Sequence, residues 1–516
     1  MSAFNKSTVG TQKPSARSKD GVIAFQKDAY QELCDRVLTC FWGQESFYET
    51  GKESSSRILA LTASVAKEDP VFLAKLAILA REKFNLRSVT QVLTAELSRH
   101  HRGDDLIQNV ICRVAQRPDD LTEMVAYLIN NTAKKVTIKG RTEHKNKRLP
   151  NSIKKGIGKA FAKFDEYQLS KYDSSKKEVS LIDLLRLFHP KPETKEMGEM
   201  WGRLVKGELK PAETWERALS KAGQGKKDES EKVEAKTEAW EDLIIGKKLG
   251  YMAALRNIRN VIEAKVSPLA HSTLQAYLSN EKAVLNSKQL PFRFYSAYNE
   301  IEKMTSVDAF AKKGYMKALN EALSYSGSNV TKFVGRSVLA IDQSGSMDAT
   351  VSDKSDISMK QIAALLGALA PRFCDESITV GFAEGFVVHN VSEKVDRVLD
   401  DVKKILSESI GYSTNGWKVF NYLIQHNLVV DRVIFLTDEQ MNGANDFRTY
   451  AESYRKIAPN CDIVTINMKG NGTTQIDPKN PRNIYMAGWS DKTLEFLAQQ
   501  QEFKNGIVDM VNAVEI

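Results

Sequence analysis

The hydrophobic period changes once along this chain, near Ser326, and that change limits the folds open to it. From about Val22 to Leu323 apolar residues recur at helical spacing, with short polar joints and no convincing strand between them. In "EDPVFLAKLAILAREKF", Asp69 suits a cap for the first turn and Pro70 the first helical position. Phe72, Leu73, Leu76 and Leu79 then follow at helical spacing. "QRPDDLTEMVAYLINN" repeats the device with Pro118, an acidic first turn, and Leu121, Val125 and Leu128. Consecutive helix pairs of this kind predict an α-solenoid, with irregular repeats because no clean period is present. Beyond Ser326, apolar runs such as "SVLAID", "SITVGFA", "DRVIFLT" and "CDIVTINM" alternate with helical stretches such as "SMKQIAALLGALAPRF" and "GWKVFNYLIQHN". Apolar strands alternating with helices predict a parallel, doubly wound α/β sheet.

At 516 residues the chain exceeds one ordinary core. The pattern divides it into a basic tail over 1–21, expected to be disordered, a helical domain over 22–330 and an α/β domain over 331–516. Residues 221–238, "KAGQGKKDESEKVEAKTE", read as a charged insertion, an exposed loop or frayed helix. No run approaches the roughly 18 apolar residues that a membrane span needs. The N-terminus lacks the apolar core of a secretory signal. Cys34, Cys40, Cys112, Cys374 and Cys461 are scattered, with no CxxC spacing, which points to buried thiols in a reducing cytoplasm. A net charge of +9 permits a polyanionic partner but does not require one, so the location of the charge decides.

The charge is concentrated. Residues 134–163 carry Lys134, Lys135, Lys139, Arg141, Lys145, Lys147, Arg148, Lys154, Lys155, Lys159 and Lys163 against the single acidic Glu143. After Pro150 the spacing predicts an amphipathic helix, with Ile153, Ile157, Phe161 and Phe164 on one face and Lys155, Lys159 and Lys163 on another. A row of ammonium groups can follow phosphates, with an affinity that falls steeply with salt. A charge run is more often a solvated face, but here its density and one-sidedness favour phosphate. His189 closes "LLRLFHPKP" with Lys191 beside it, where the residues alone suggest an ordinary loop histidine. Arg81, Lys83, Arg87, Arg99, His100, His101 and Arg102 form a second basic set, and Arg256 and Arg259 a third. The aromatic residues of "LPFRFYSAY" suit a core better than a stacking platform.

The α/β half carries a second constellation. Asp342, Ser344 and Ser346 follow an apolar run at alternate positions; Ser413 and Thr414 lie in a loop before a helix; Asp438 ends another apolar run. In a doubly wound sheet such positions share the carboxyl edge. Oxygen ligands without His or Cys suit a hard divalent cation, Mg²⁺ ahead of Mn²⁺. The pattern Asp342-x-Ser344-x-Ser346, then Thr414, then Asp438 resembles the metal-ion-dependent adhesion site of von Willebrand factor A domains. The competing role for Ser344 and Ser346 is to cap the turn that follows them.

The helical half resembles the TROVE domain of the Ro ribonucleoprotein family, through "LPNSIKKGIGKAFAKF", "SLIDLLRLFHPKP", "GYMAALRNIRNV" and "LPFRFYSAY". "INMKGNGTTQIDPKNPRNIYMAGWS" resembles that family's closing strands. The chain is thus similar to a compact prokaryotic member of the family. That resemblance implies HEAT-like helical repeats closing into a monomeric ring joined by the A domain. It implies a small noncoding Y or Y-like RNA on the basic outer surface, with His189 near it, and single-stranded 3′ ends of misfolded or structured RNAs in the central hole. It implies a role in RNA quality control, maturation or degradation, with an exoribonuclease or another protein as partner. Two alternatives stay open: a metal-dependent protein-interaction adaptor with incidental RNA binding, and a metal-dependent nuclease. The second is disfavoured because a two-metal nuclease needs more carboxylates than this cluster offers, and no catalytic triad or P-loop stands out. The expected protein is not an enzyme.

Overall fold

A computed structural model describes residues 14–18, 21, 23–39, 51–132, 134–138, 141–145, 149–172, 177–224, 228–289, 291–305, 308–330, 332–352, 355–442, 444–469, 472–487 and 506–516. The chain divides into two compact units, one of residues 28–212 with 506–516, the other of residues 1–27 with 213–505.

The first unit is helical. Asp69 Oδ1 accepts the Phe72 N–H at 2.9 Å and starts the helix Pro70–Glu82, in which Phe72, Leu73, Leu76 and Leu79 are all buried. Leu121, Val125 and Leu128 of the helix Pro118–Thr132 are buried likewise. The helix joints converge on Asp120. Its fully buried carboxylate accepts from Arg81 Nη2 at 3.0 Å, Arg87 Nε at 2.9 Å and the N–H groups of Gln116 and Arg117 at 3.1 and 3.0 Å. An acid in a first turn also meets the positive end of its own helix. One departure from an all-helical reading is an antiparallel hairpin, Lys134–Ile138 with Arg141–Lys145, in register Lys134 to Lys145. Its charged sequence lacks the apolar alternation that marks a half-buried strand. The C-terminal helix Ile507–Asn512 packs on the helices Ala29–Thr39 and Pro70–Glu82, and Lys75 Nζ donates to Asn512 O at 2.6 Å.

The second unit centres on a six-stranded sheet, ordered Asn483–Ala487, Asp462–Asn467, Arg432–Thr437, Phe333–Asp342, Cys374–Phe382, Phe386–His389. Neighbours are parallel except at the last, antiparallel edge. Val338 and Ala340 face the helices Trp417–Gln425 and Ala444–Ile457, in one core with Phe420, Phe435 and Phe447. Ile341 points to the opposite face, against the helix Met359–Phe373. The approach there is close: a Cβ on Gly367 would sit 2.5 Å from Ile341 Cδ1. Helices on both faces make the sheet doubly wound. From Phe333–Asp342 the chain steps first toward Cys374–Phe382 and later returns to the other side with Arg432–Thr437. The switch point therefore lies beyond Asp342 and Thr437, where such sheets bind ligands.

Two further segments carry regular structure. Within the tail over 1–21, Ala16–Arg17 forms a strand on Ile23–Gln26, which itself pairs with Thr473–Thr474. Within the segment over 221–238, Asp228 caps a helix Glu229–Ile245, anchored where Trp240 stacks on Trp215 at 5.9 Å.

Replacing Asp120 with Ala strips buried Arg81 of its carboxylate, which should cost about 3–5 kcal/mol. Urea unfolding checks this: the midpoint should fall steeply, well beyond the shift for a surface Asp→Ala control.

Candidate nucleic-acid interface and cation site

The helix Asn151–Phe161 begins directly after Pro150. Ile153, Ile157, Phe161 and, just beyond the helix, Phe164 are buried, as the spacing predicts. Gly156 lets this face approach the helix Leu106–Val114 closely, since a Cβ there would lie 2.6 Å from Ile111 Cδ1. With that face fixed, Lys154, Lys155 and Lys159 emerge exposed on the other.

A second element meets them. The helix Leu181–Phe188 starts with a capping box between Ser180 and Asp183 and ends at His189. His189 adopts φ 46°, ψ 53°, and donates its N–H to Leu185 O at 3.0 Å. A non-glycine residue in this left-handed region turns the chain sharply. Pro190 consequently lies over Gly158, where a Cβ would meet Pro190 Cβ at 3.4 Å. Between the two elements runs a groove of about 300 Å³ lined by Asn151, Lys154, Lys155, Lys159, His189 and Lys191, with Glu193 as its one acidic lining residue.

The other candidates lie elsewhere. Lys163 turns away: its ammonium donates to Cys112 O and, at 3.1 Å, to Ala115 O, and burial lowers its pKa. Lys134, Lys135 and Arg141 sit on the hairpin backbone, whereas Lys139, Lys147 and Arg148 fall outside the described residues. The second basic set is largely engaged within the protein. Arg81 and Arg87 hold Asp120, Arg99 pairs with Glu96 at 2.8 Å, and His101 with Asp104 at 2.8 Å. Arg259 lies 3.6 Å from Glu300. Phe294, Tyr295 and Tyr298 are buried, as expected of a core. Among lining residues, Asn151 gave no signal in sequence, and Lys191 only its place beside His189.

In the second unit, Asp342 ends its strand and Asp438 follows the neighbouring strand Arg432–Thr437. Both are fully buried. Asp342 Oδ1 accepts the Ser344 N–H at 2.9 Å, and Oδ2 accepts the Thr437 hydroxyl at 2.5 Å. Ser344 Oγ and Ser346 Oγ are 3.3 Å apart. The Gly345 N–H donates to Tyr412 O at 3.2 Å, bringing the Tyr412–Thr414 loop alongside. Thr414 is buried there, while the Ser413 hydroxyl accepts from Asn415. The residues fit a hard cation on two observations. First, Ser344, at the cap of the turn Gly345–Asp348, makes no side-chain cap bond, so its hydroxyl is not used in the competing role. Second, Asp342 and Asp438 are two fully buried carboxylates at the ends of neighbouring strands, and burial and then repulsion from Asp438 raise the Asp342 carboxyl above its usual range. Among the described residues no group of three or more His, Cys, Asp or Glu side chains is placed to hold a metal.

Comparison with known proteins agrees with both halves. Residues 38–236 and 201–342 match the TROVE domain, and residues 336–500 match the Ro60 vWA domain. Telomerase protein component 1 of Mus musculus is 23% identical over 324 residues, 48% of this chain and 12% of that protein. Its Rattus norvegicus counterpart is 22% identical over 376 residues, 58% of this chain and 14% of that protein. The chain thus spans a small part of the length of these curated relatives. The crystal structure of the Deinococcus radiodurans RO (RSR) protein superposes with a TM-score of 0.63 at 17% identity, covering 92% of this chain and 100% of that one, which establishes the shared fold. With a TROVE domain joined to a Ro60-type von Willebrand factor A domain, this chain belongs to the Ro family of RNA-binding proteins.

Proposed function

We propose that this protein is a non-enzymatic RNA-binding scaffold whose basic groove seats the phosphate backbone. One observation carries the reading: Lys154, Lys155 and Lys159 from one helix and His189 and Lys191 from another element line a single groove. Each ammonium group that meets a phosphate releases a counterion, so affinity builds in proportion to contacts and falls with salt. The exposed His189 ring is available to stack on a base or bond a phosphate. The RNA is Y or Y-like noncoding RNA, with single-stranded 3′ ends of misfolded or structured RNAs as a second class of ligand. The protein acts in the cytoplasm, as a monomer, in RNA quality control, maturation or degradation.

A second, compatible reading concerns the von Willebrand factor A domain, and the hydroxyl-rich set at the sheet's switch point favours it. Asp342, Ser344, Ser346, Thr414 and Asp438 would hold Mg²⁺ or Mn²⁺. Such an ion would offset the two carboxylates and leave coordination positions for water or for an acidic group on a protein partner, an exoribonuclease among the candidates. In the adaptor alternative this site is the whole function and RNA is incidental.

Substituting Lys154, Lys155 and Lys159 with Gln should lower RNA affinity at least tenfold and reduce the slope of log K against log salt by about 2–3, since each phosphate contact contributes about 0.7–0.9. Filter binding across a salt series, with circular dichroism for fold, checks this; unchanged affinity would favour the adaptor. Asp342→Ala should leave RNA affinity intact, and incubation of single-stranded RNA with Mg²⁺ or Mn²⁺ should give no cleavage.

A pH series tests the carboxylate pair. Because Asp342 titrates higher folded than unfolded, its contribution to stability without divalent ions is full below about pH 4 and is lost as pH rises toward about 7. In EDTA, the wild type should therefore lose Tm over that interval relative to Asp342→Asn. At pH 7.5, Mg²⁺ should raise the Tm of the wild type and not of the variant.

A further inference from the structure

We infer that the N-terminal strand Ile23–Gln26, together with Lys27, is a positioning strap for the cation site, so that strap docking and divalent-ion binding are coupled. The inference rests on the cation reading of Asp342, Ser344, Ser346, Thr414 and Asp438 given above.

The strap is attached along its length. Phe25 and Gln26 pair with Thr474 and Thr473. Arg448 donates to Ile23 O at 3.1 Å and lies over the Phe25 ring. The Gln26 side chain and the Lys27 N–H both donate to Gly472 O, at 3.1 and 3.0 Å. The strap then ends in a buried ion pair. Lys27 Nζ lies 2.6 Å from Glu439 Oε2, and both side chains are 1% exposed. Asn467 Nδ2 donates to the same oxygen at 2.9 Å.

Glu439 directly follows Asp438 and takes φ +61°, a conformation that a non-glycine residue holds only when its surroundings impose it. Its side chain is anchored by Lys27 and Asn467, and the Gln475 side chain donates to its carbonyl at 3.4 Å. The Glu439 N–H donates to Thr437 Oγ1 at 3.1 Å, and that hydroxyl donates to Asp342 Oδ2 at 2.5 Å. A continuous series of polar contacts thus runs from the Lys27 ammonium, through the turn that carries Asp438, to the Asp342 carboxylate. Removing the Lys27 charge leaves Glu439 buried without that counter-ion, which favours relaxation of the turn. Asp438 and the Thr437 hydroxyl then lose the setting that aims them. Linkage makes the effect reciprocal: an ion that selects the aimed turn must also favour the docked strap.

The test uses the full chain. Isothermal titration with Mn²⁺ compares wild type, Lys27→Met and Asp342→Ala, and hydrogen exchange follows the amides of residues 23–27 with and without Mn²⁺. The expected result is Mn²⁺ affinity at least tenfold weaker in Lys27→Met, and exchange at residues 23–27 slowed by Mn²⁺ in wild type but not in Asp342→Ala. The exchange measurement on wild type needs no variant, so it decides the matter even if Lys27→Met does not fold. Wild type that binds Mn²⁺ without any change in strap exchange overturns the strap and leaves the cation reading standing. Wild type that binds no Mn²⁺ at millimolar concentration overturns both, and identifies the cation reading as the failure.

Discussion

Where the helix Asn151–Phe161 crosses Leu106–Val114, Gly156 leaves no room for a side chain against Ile111. That steric fact fixes the rotation of the helix about its axis. Ile153, Ile157 and Phe161 have one direction in which to be buried, and Lys154, Lys155 and Lys159 are carried to the opposite side. The groove then forms because a second constraint, the left-handed turn at His189, folds Pro190 back over Gly158. Neither constraint is itself electrostatic. Packing decides where the charge goes, and the charge then decides what kind of ligand the groove suits. A polyanion relieves the mutual repulsion of crowded ammonium groups, which water and salt relieve only in part.

The second unit follows a different logic. The order of its parallel strands leaves an opening beyond Asp342 and Thr437, and the residues placed there carry oxygen. Two buried carboxylates in such a place repel each other and lack solvation, which raises the Asp342 pKa. On the proposed cation reading, the hydroxyls of Ser344, Ser346 and Thr414 would add ligating capacity without adding charge. The helical unit thus gathers cations on an open surface, and the sheet gathers anions in a closed one.

Much of this was legible in sequence wherever local spacing was enough. Asp69 and Pro70 announce a helix start, and Phe72, Leu73, Leu76 and Leu79 its buried side. The apolar runs after Ser326 announce the sheet, and Asp342 and Asp438 fall at strand ends as their positions suggested. What escaped depends on partners distant along the chain. The strand Ile23–Gln26 is completed by Thr473–Thr474, which no local pattern near residue 25 reveals. Lys163 continues the four-residue spacing of Lys155 and Lys159, yet its ammonium is engaged by the carbonyls of Cys112 and Ala115. Arg81 and Arg87 look like free cations in a one-dimensional listing, and only the fold reveals Asp120 between them. Spacing predicts faces; it does not predict which neighbour a flexible charged side chain will find.

The most direct test of the central claim is ultraviolet crosslinking of the native ribonucleoprotein, followed by mass spectrometry of the adducted peptides. Nucleotide adducts on peptides spanning Lys154–Lys159 and His189–Lys191, lost when binding is carried out at high salt, are the predicted result. Adducts confined to other parts of the chain, or none on purified native material, would contradict the account.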